Sequence, residues 1–111
     1  MINQEVKQVM DKLNIPFFYM TAPINNHNSY CIFSIYKEQE TGVYDNDVFK
    51  VDYYCTLNFW YKTPQEGLRY TEIKRALKNA KIIVRDVVDL APHNGYYGKS
   101  FSLKITRLIE K

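Results

Sequence analysis

From Phe49 to Tyr61 every second residue is apolar: Phe49, Val51, Tyr53, Cys55, Leu57, Phe59 and Tyr61. Lys50, Asp52, Tyr54, Thr56, Asn58 and Trp60 lie between them. Period two predicts a long strand with one face on the core and the other polar except at Tyr54 and Trp60. Upstream, Ile2, Val6, Val9, Met10 and Leu13 form one stripe of an amphipathic helix. That helix should stop at Asn14-Ile15, because Pro16 biases its predecessor away from helical geometry. Phe17-Phe18-Tyr19 reads as a short strand, Thr21 to Ser29 as a loop, and Tyr30 to Tyr36 as a largely buried strand. Lys37 to Asp47 reads as a polar connection to the long strand. Thr63-Pro64-Gln65-Glu66 is a capping box with proline at the first helical position. Tyr70, Ile73, Ala76, Leu77 and Ala80 continue that second helix, with Lys74, Arg75 and Lys78 on its opposite face. Lys81 to Val88 predicts a strand, Asp89 to Tyr96 a loop containing the Asn94-Gly95 turn, and Ser100 to Thr106 a last strand.

The order α-β-β-β-α-β-β predicts an α+β fold. Two helices cover one face of a mostly antiparallel sheet of four or five strands, and the other face is left partly open. Expected core positions are Phe49, Val51, Tyr53, Cys55, Leu57, Phe59, Ile73, Leu77, Phe101, Leu103 and Ile105.

With 111 residues the chain predicts one domain, 1–111, able to bury roughly two-thirds of its unfolded surface without disulfides or metals. No apolar run approaches the ~20 residues of a membrane helix, and no secretory signal is visible, so neither a membrane partner nor export is expected. Ten tyrosines against four glycines favour sheet and broad amphipathic contact surfaces. The net charge of +3 is divided unevenly. Residues 1–61 carry four basic and seven acidic side chains, net −3, and residues 62–111 carry eleven and five, net +6. Such a division suits nucleic acid on the basic side, or self-association of basic on acidic surface.

The residues that could carry chemistry are scattered. His27 and His93 fall in different loops without further ligands at metal spacing. Cys31 and Cys55 share parity with apolar strand positions and read as buried, inert thiols. Glu38, Glu40, Asp45 and Asp47 lie on a polar connection, a poor place to hold two carboxyls rigidly for acid–base work. The four isolated glycines make no phosphate or dinucleotide loop. The expectation is a chain that is not an enzyme and needs no cofactor and no metal. Lys74, Arg75, Lys78, Lys81 and Arg85 could track phosphates, or simply form a solvated helix face. Tyr54 and Trp60 could stack bases or anchor a protein interface.

Several segments, spread over roughly residues 2–107, resemble one known family. The first helix runs into Ile15-Pro16-Phe17, and a strand ends in Tyr36-Lys37-Glu38. An acidic segment carries Tyr44-Asp45-Asn46, and the long strand closes with Trp60-Tyr61-Lys62-Thr63-Pro64 directly before a helix. Together these are similar to the tail terminator (tail completion) proteins of long-tailed phages, especially those of Gram-positive hosts and their prophages. The Pro92-His93-Asn94-Gly95 region matches no diagnostic pattern.

The resemblance implies a structural protein of the tail–neck junction, present in the host cytoplasm during assembly. It implies a ring, usually a hexamer, that caps the tail tube, ends its polymerisation and docks the head connector. DNA passes through the lumen without specific binding. It implies no catalytic residues, and Tyr44-Asp45-Asn46 as a contact element. Another head–tail joining protein, or a small nucleic-acid-binding α+β module, are the alternatives. For a ring, Glu38, Glu40, Asp45 and Asp47 of one subunit are expected to face Lys74, Arg75 and Lys78 of the next, with Tyr54 or Trp60 as the desolvated anchor.

Overall fold

The structure, a computed structural model, describes residues 2–24, 27–43 and 48–110. It contains α1 (Ile2–Lys12), β1 (Phe17–Tyr19), β2 (Ser29–Val43), β3 (Val48–Tyr61), α2 (Pro64–Gly67), α3 (Tyr70–Asn79), β4 (Ile83–His93) and β5 (Tyr96–Glu110). The strands form one sheet in the order β1-β2-β3-β5-β4. Only the β1–β2 pairing is parallel. The α+β class, the element order and the mostly antiparallel sheet are those expected from the sequence.

β3 lies at the centre, and its alternation decides the layering. Cys55, Leu57 and Phe59 stand opposite Ile35, Phe33 and Cys31 of β2 and Leu103, Phe101 and Lys99 of β5. Directly opposed residues share a face of the sheet. This face packs against Val6, Val9 and Met10 of α1 and Ile73 and Leu77 of α3, with Ile15 and Ile82 closing the layer. Asp52, Tyr54, Thr56, Asn58 and Trp60 alternate onto the other face, where no helix packs among the described residues.

Both helices leave the layer by the same device. Asn14 adopts φ 58°, Asn14 N–H donates to Asp11 O at 3.0 Å and Ile15 N–H to Met10 O at 3.1 Å. Lys81 adopts φ 62°, Lys81 N–H donates to Lys78 O at 3.0 Å and Ile82 N–H to Leu77 O at 3.0 Å. Each is a Schellman cap whose following isoleucine is buried, so the cap both stops the helix and aims the chain back at the core. The first helix thus ends through a left-handed Asn14, already two residues ahead of Pro16.

Six sequence expectations change, the first being that the last strand, read as Ser100 to Thr106, runs from Tyr96 to Glu110. β2 runs through Val43, so Glu38 and Glu40 belong to a strand instead of a polar connection. The second helix is broken into α2 and α3 around Leu68-Arg69. Gly67 lies so close to Tyr61 that a Cβ would stand 2.5 Å from its ring, and the chain bends there. Lys81 is a helix cap, and β4 starts only at Ile83. The expected loop 89–96 is strand up to His93, followed by a two-residue Asn94-Gly95 turn with φ of 51° and 82°. Positive φ at both turn residues matches the twist of the flanking strands. Phe49 and Tyr53 are half-buried where full burial was expected, because the helix layer ends beside Tyr53.

Gly98 is opposed to Trp60 in the register, and its missing side chain is where the indole lies. A Cβ there would stand 2.6 Å from the Trp60 ring and 3.1 Å from Leu90. Gly98→Val should therefore lift the indole into water. Trp60 is the single tryptophan, so its emission should shift to longer wavelength while the far-ultraviolet spectrum stays that of the parent. An unchanged emission maximum would mean that the indole does not rest on Gly98.

Candidate functional site

The structure sorts the charged side chains by sheet face, and this differs from their division along the chain. β2 carries a bulge between Ile35 and Lys37, so Tyr36 and Lys37 together oppose Tyr54. The extra residue reverses the alternation. Lys37 comes onto the open face, and Glu38 and Glu40 come onto the helix face opposite Tyr53 and Val51. Burial, and next to it the carboxylates of Glu38 and Glu5, raise the Tyr53 phenol above its ordinary value.

Glu38 and Glu40 rim a shallow pocket of about 390 Å³ whose floor is Phe49, Val51, Tyr53 and Ile109. This is the end of the apolar sheet face that extends past α1. Arg107 ties the helix down at that point, donating from Nε and Nη2 to Glu5 Oε1 at 3.0 and 2.7 Å. Tyr44, Asp45, Asn46 and Asp47 lie outside the described residues.

Lys74, Arg75 and Lys78 lie on α3, with Arg75 and Lys78 exposed. Lys74 borders a groove between α3 and β4 lined also by Tyr70, Val84, Arg85, Asp86, Val87, Asp89 and Lys99. There Lys99 Nζ sits 2.6 Å from Asp89 Oδ1 and 4.8 Å from the centre of the Tyr70 ring. The hydrogen bond to Asp89 is the main reason that the Lys99 ammonium holds its proton above the ordinary range. Lys12, Lys74, Arg75, Lys78 and Lys81 make no ion pair among the described residues. Glu38 thus lies beside the start of α1 and Lys12 beside the end of α3, at opposite ends of the helix layer.

Tyr54 and Trp60 both lie on the open face, but six residues of one strand separate them by about 20 Å. They do not form one anchor. Trp60 packs on Gly98, Leu90 and, at 6.3 Å between ring centres, His93. Tyr54 is surrounded by cations. Lys37 Nζ, Arg85 Cζ and Lys104 Nζ stand 5.4, 5.5 and 5.9 Å from its ring centre. Beside it the buried Asp52 accepts a hydrogen bond of 2.5 Å from Thr106 Oγ1, and Lys104 Nζ lies 3.7 Å away. Sequence reading singled out Tyr54 but missed Lys37 and Lys104. Lys104 was legible, since it alternates with Leu103 and Ile105; Lys37 was not, because the bulge decides its face.

No family model matches the chain, and no curated protein matches it in sequence.

Both thiols lie in the core, Cys31 Sγ 3.9 Å from Met10 Sδ. Burial pushes the Cys55 thiol up to about 12. Burial also raises the Cys31 thiol, against a smaller opposing pull from Arg69. Neither should react with a thiol reagent at pH 8 until the protein unfolds. A thiol raised in the folded state contributes full stability below its unfolded pKa and loses it as pH climbs toward the folded value. Stability should therefore fall above about pH 9, by up to ~1.4 kcal/mol per pH unit for each thiol. Cys55→Ala should flatten that fall in denaturant titrations; an identical alkaline slope would contradict the burial argument.

Proposed function

We propose that the chain is a ring-forming structural protein of the phage tail terminator class. In this reading it caps the tail tube at the neck of the virion, ends tube growth and receives the head connector. It acts by assembly in the host cytoplasm and not by catalysis. The segment pattern from Ile15-Pro16-Phe17 to Trp60-Tyr61-Lys62-Thr63-Pro64 supports the class. The observation that carries the ring is the pair of unlike surfaces, an acidic rim over an apolar floor and a basic helix face.

A ring needs a heterologous contact, in which one patch meets a different patch of the next copy. Glu38 and Glu40 above Phe49 and Ile109 form one such patch. Arg75 and Lys78, with Lys74 and Lys12, form the other. Placed at opposite ends of the helix layer, they are poorly arranged to neutralise each other within one chain and well arranged to meet between copies. Exposed ion pairs are worth only ~0–1 kcal/mol each, so charge sets orientation and encounter while apolar burial supplies affinity. The anchor in this reading is Phe49 with Ile109, since Tyr54 and Trp60 lie on the other face of the sheet from the acidic rim. A hexamer is the expected ring.

Negative-stain microscopy and native mass spectrometry, with and without the tube protein, test the assembly. Rings on tube ends should form with the parent chain and weaken as salt rises. Lys74→Glu, Arg75→Glu and Lys78→Glu together should abolish them without lowering the melting temperature. Glu38→Lys with Glu40→Lys in the same chain should restore them. If the doubly reversed chain remains as defective as the triple variant, these two patches do not meet.

A further inference from the structure

We infer that the open face of the sheet holds a binding site for a phosphate group, centred on Tyr54 and formed by Lys37, Arg85 and Lys104. The register builds it. Tyr54 has Lys37 beside it on β2 and Lys104 beside it on β5, so the two lysines flank it across three adjacent strands. Arg85 reaches the same ring from β4, at the bulge between Val84 and Asp86. Two bulges, on β2 and β4, therefore bring cations to one tyrosine on a central strand.

The cluster is electrically unbalanced. Each cation lies within 6 Å of one ring centre, so no two can stand more than about 12 Å apart, at most about one and a half times the ~8 Å screening length at physiological salt. Among the described residues Asp52 is the carboxylate ion-paired with the cluster, engaged by Lys104 and Thr106, and Asp86 stands on the same face opposite Ser102 without an ion pair, so three cations face two carboxylates. Lys37 and Arg85 make no ion pair among the described residues. Contacts with an aromatic face return only about 0.5–1 kcal/mol at exposed sites. An anion seated among the three would remove the mutual repulsion.

The chemistry favours phosphate over a carboxylate. A single carboxylate carries one charge and is satisfied by one guanidinium fork, whereas a phosphate offers more charge and three or more oxygens to several donors. Hydroxyl groups continue the same face. Ser34 and Thr56 stand 2.8 Å apart beside the site, and Ser102 opposes Thr56 from β5. Lys50 alternates onto this face as well, two residues beyond Asp52. The ligand chemistry is shared by a nucleic-acid backbone and a free phosphate compound. Tyr54, Lys37 and Lys104 lie across the sheet from both proposed ring patches, while Arg85, on the edge strand β4, also borders the groove that Lys74 lines.

The test uses the full chain in phosphate-free buffer at two salt concentrations. A fluorescein-labelled DNA duplex is followed by anisotropy, and inorganic phosphate by amide shifts in nuclear magnetic resonance. Lys37→Glu with Arg85→Glu should weaken duplex binding at least about tenfold and reduce its salt dependence by one to two phosphate contacts. Lys7→Glu with Lys81→Glu, exposed on the helix side and outside both proposed ring patches, should leave both unchanged. If the duplex ignores Lys37 and Arg85 but inorganic phosphate shifts the Tyr54, Lys37 and Lys104 amides saturably, the site stands and its ligand is a free phosphate. Where the glutamate pair melts early, Lys37→Gln with Arg85→Gln replaces it. The inference is overturned if neither probe responds to Lys37 and Arg85, or if the helix-face variants weaken the duplex equally.

Discussion

A residue of strand advances the chain more than twice as far as a residue of helix, about 3.3 Å against 1.5 Å. This mismatch governs the molecule. β3 has 14 residues and β5 has 15, so each spans more than 40 Å. α1 and α3 have 11 and 10 residues and reach only about 16 Å. Two short helices lying along a long sheet can cover only part of one face. They cover the rows from Phe59 to about Cys55, where burial is complete, and stop beside Tyr53. Beyond them Phe49 and Ile109 are left half-buried, and the long axis of the molecule reaches 51 Å. The uncovered end is a consequence of element lengths and not of local loosening. Any partner that completes the layer must fit an apolar floor edged by Glu38 and Glu40.

Much of this was readable from residue periodicity. The alternation from Phe49 to Tyr61 identified the central strand and its buried face, since a one-residue slip would have turned every apolar side chain to water. Half of the capping box at Thr63 appears as read, with Thr63 Oγ1 accepting from Glu66 N–H at 3.3 Å, while the Glu66 carboxylate accepts from the Thr63 hydroxyl at 3.2 Å. What periodicity could not reveal was where it breaks. A bulge leaves no compositional trace in Ile35-Tyr36-Lys37, yet it reverses the faces of Lys37, Glu38 and Glu40. The helix caps were hidden for a related reason. Asparagine is an ordinary left-handed residue, but lysine at φ 62° is not, and nothing local to Lys81 announces it. The buried Ile82 and the hydrogen bond to Leu77 hold it there.

The segment Lys37-Glu38-Gln39-Glu40 also solves a problem of the sheet itself. β1 pairs with β2 only from Cys31 to Phe33, so the rest of β2 has a strand partner on one side alone. An open edge of this length invites pairing with other chains, and charged side chains along it oppose that. The same charges can therefore discourage edge pairing and orient a specific contact. The two roles differ in direction. Edge protection acts in the plane of the sheet, whereas Glu38 and Glu40 point along the helix side, toward Tyr53 and Val51.

Because Lys37 and Glu38 are neighbours on one strand but project to opposite faces, the sheet separates two electrostatic surfaces that the linear charge count had merged. Lys37 belongs to the acidic half of the chain by position and to the basic face by structure; Lys104 and Arg85 join it from the other half. The division of −3 and +6 along the sequence is thus only partly the division in space. On the helix side Glu38 and Glu40 stand at one end and Lys12 at the other, with Arg107, Asp11 and Glu72 held in ion pairs between or beside them, a polarity that suits a head-to-tail contact. The open side has three cations gathered about one aromatic ring against an engaged Asp52 and the neighbouring Asp86, an excess of positive charge that suits an anion. In the proposed reading the helix side meets other copies and the open side meets the anion, and only at the β4 edge, where Arg85 and Lys74 line one groove, do the two surfaces adjoin.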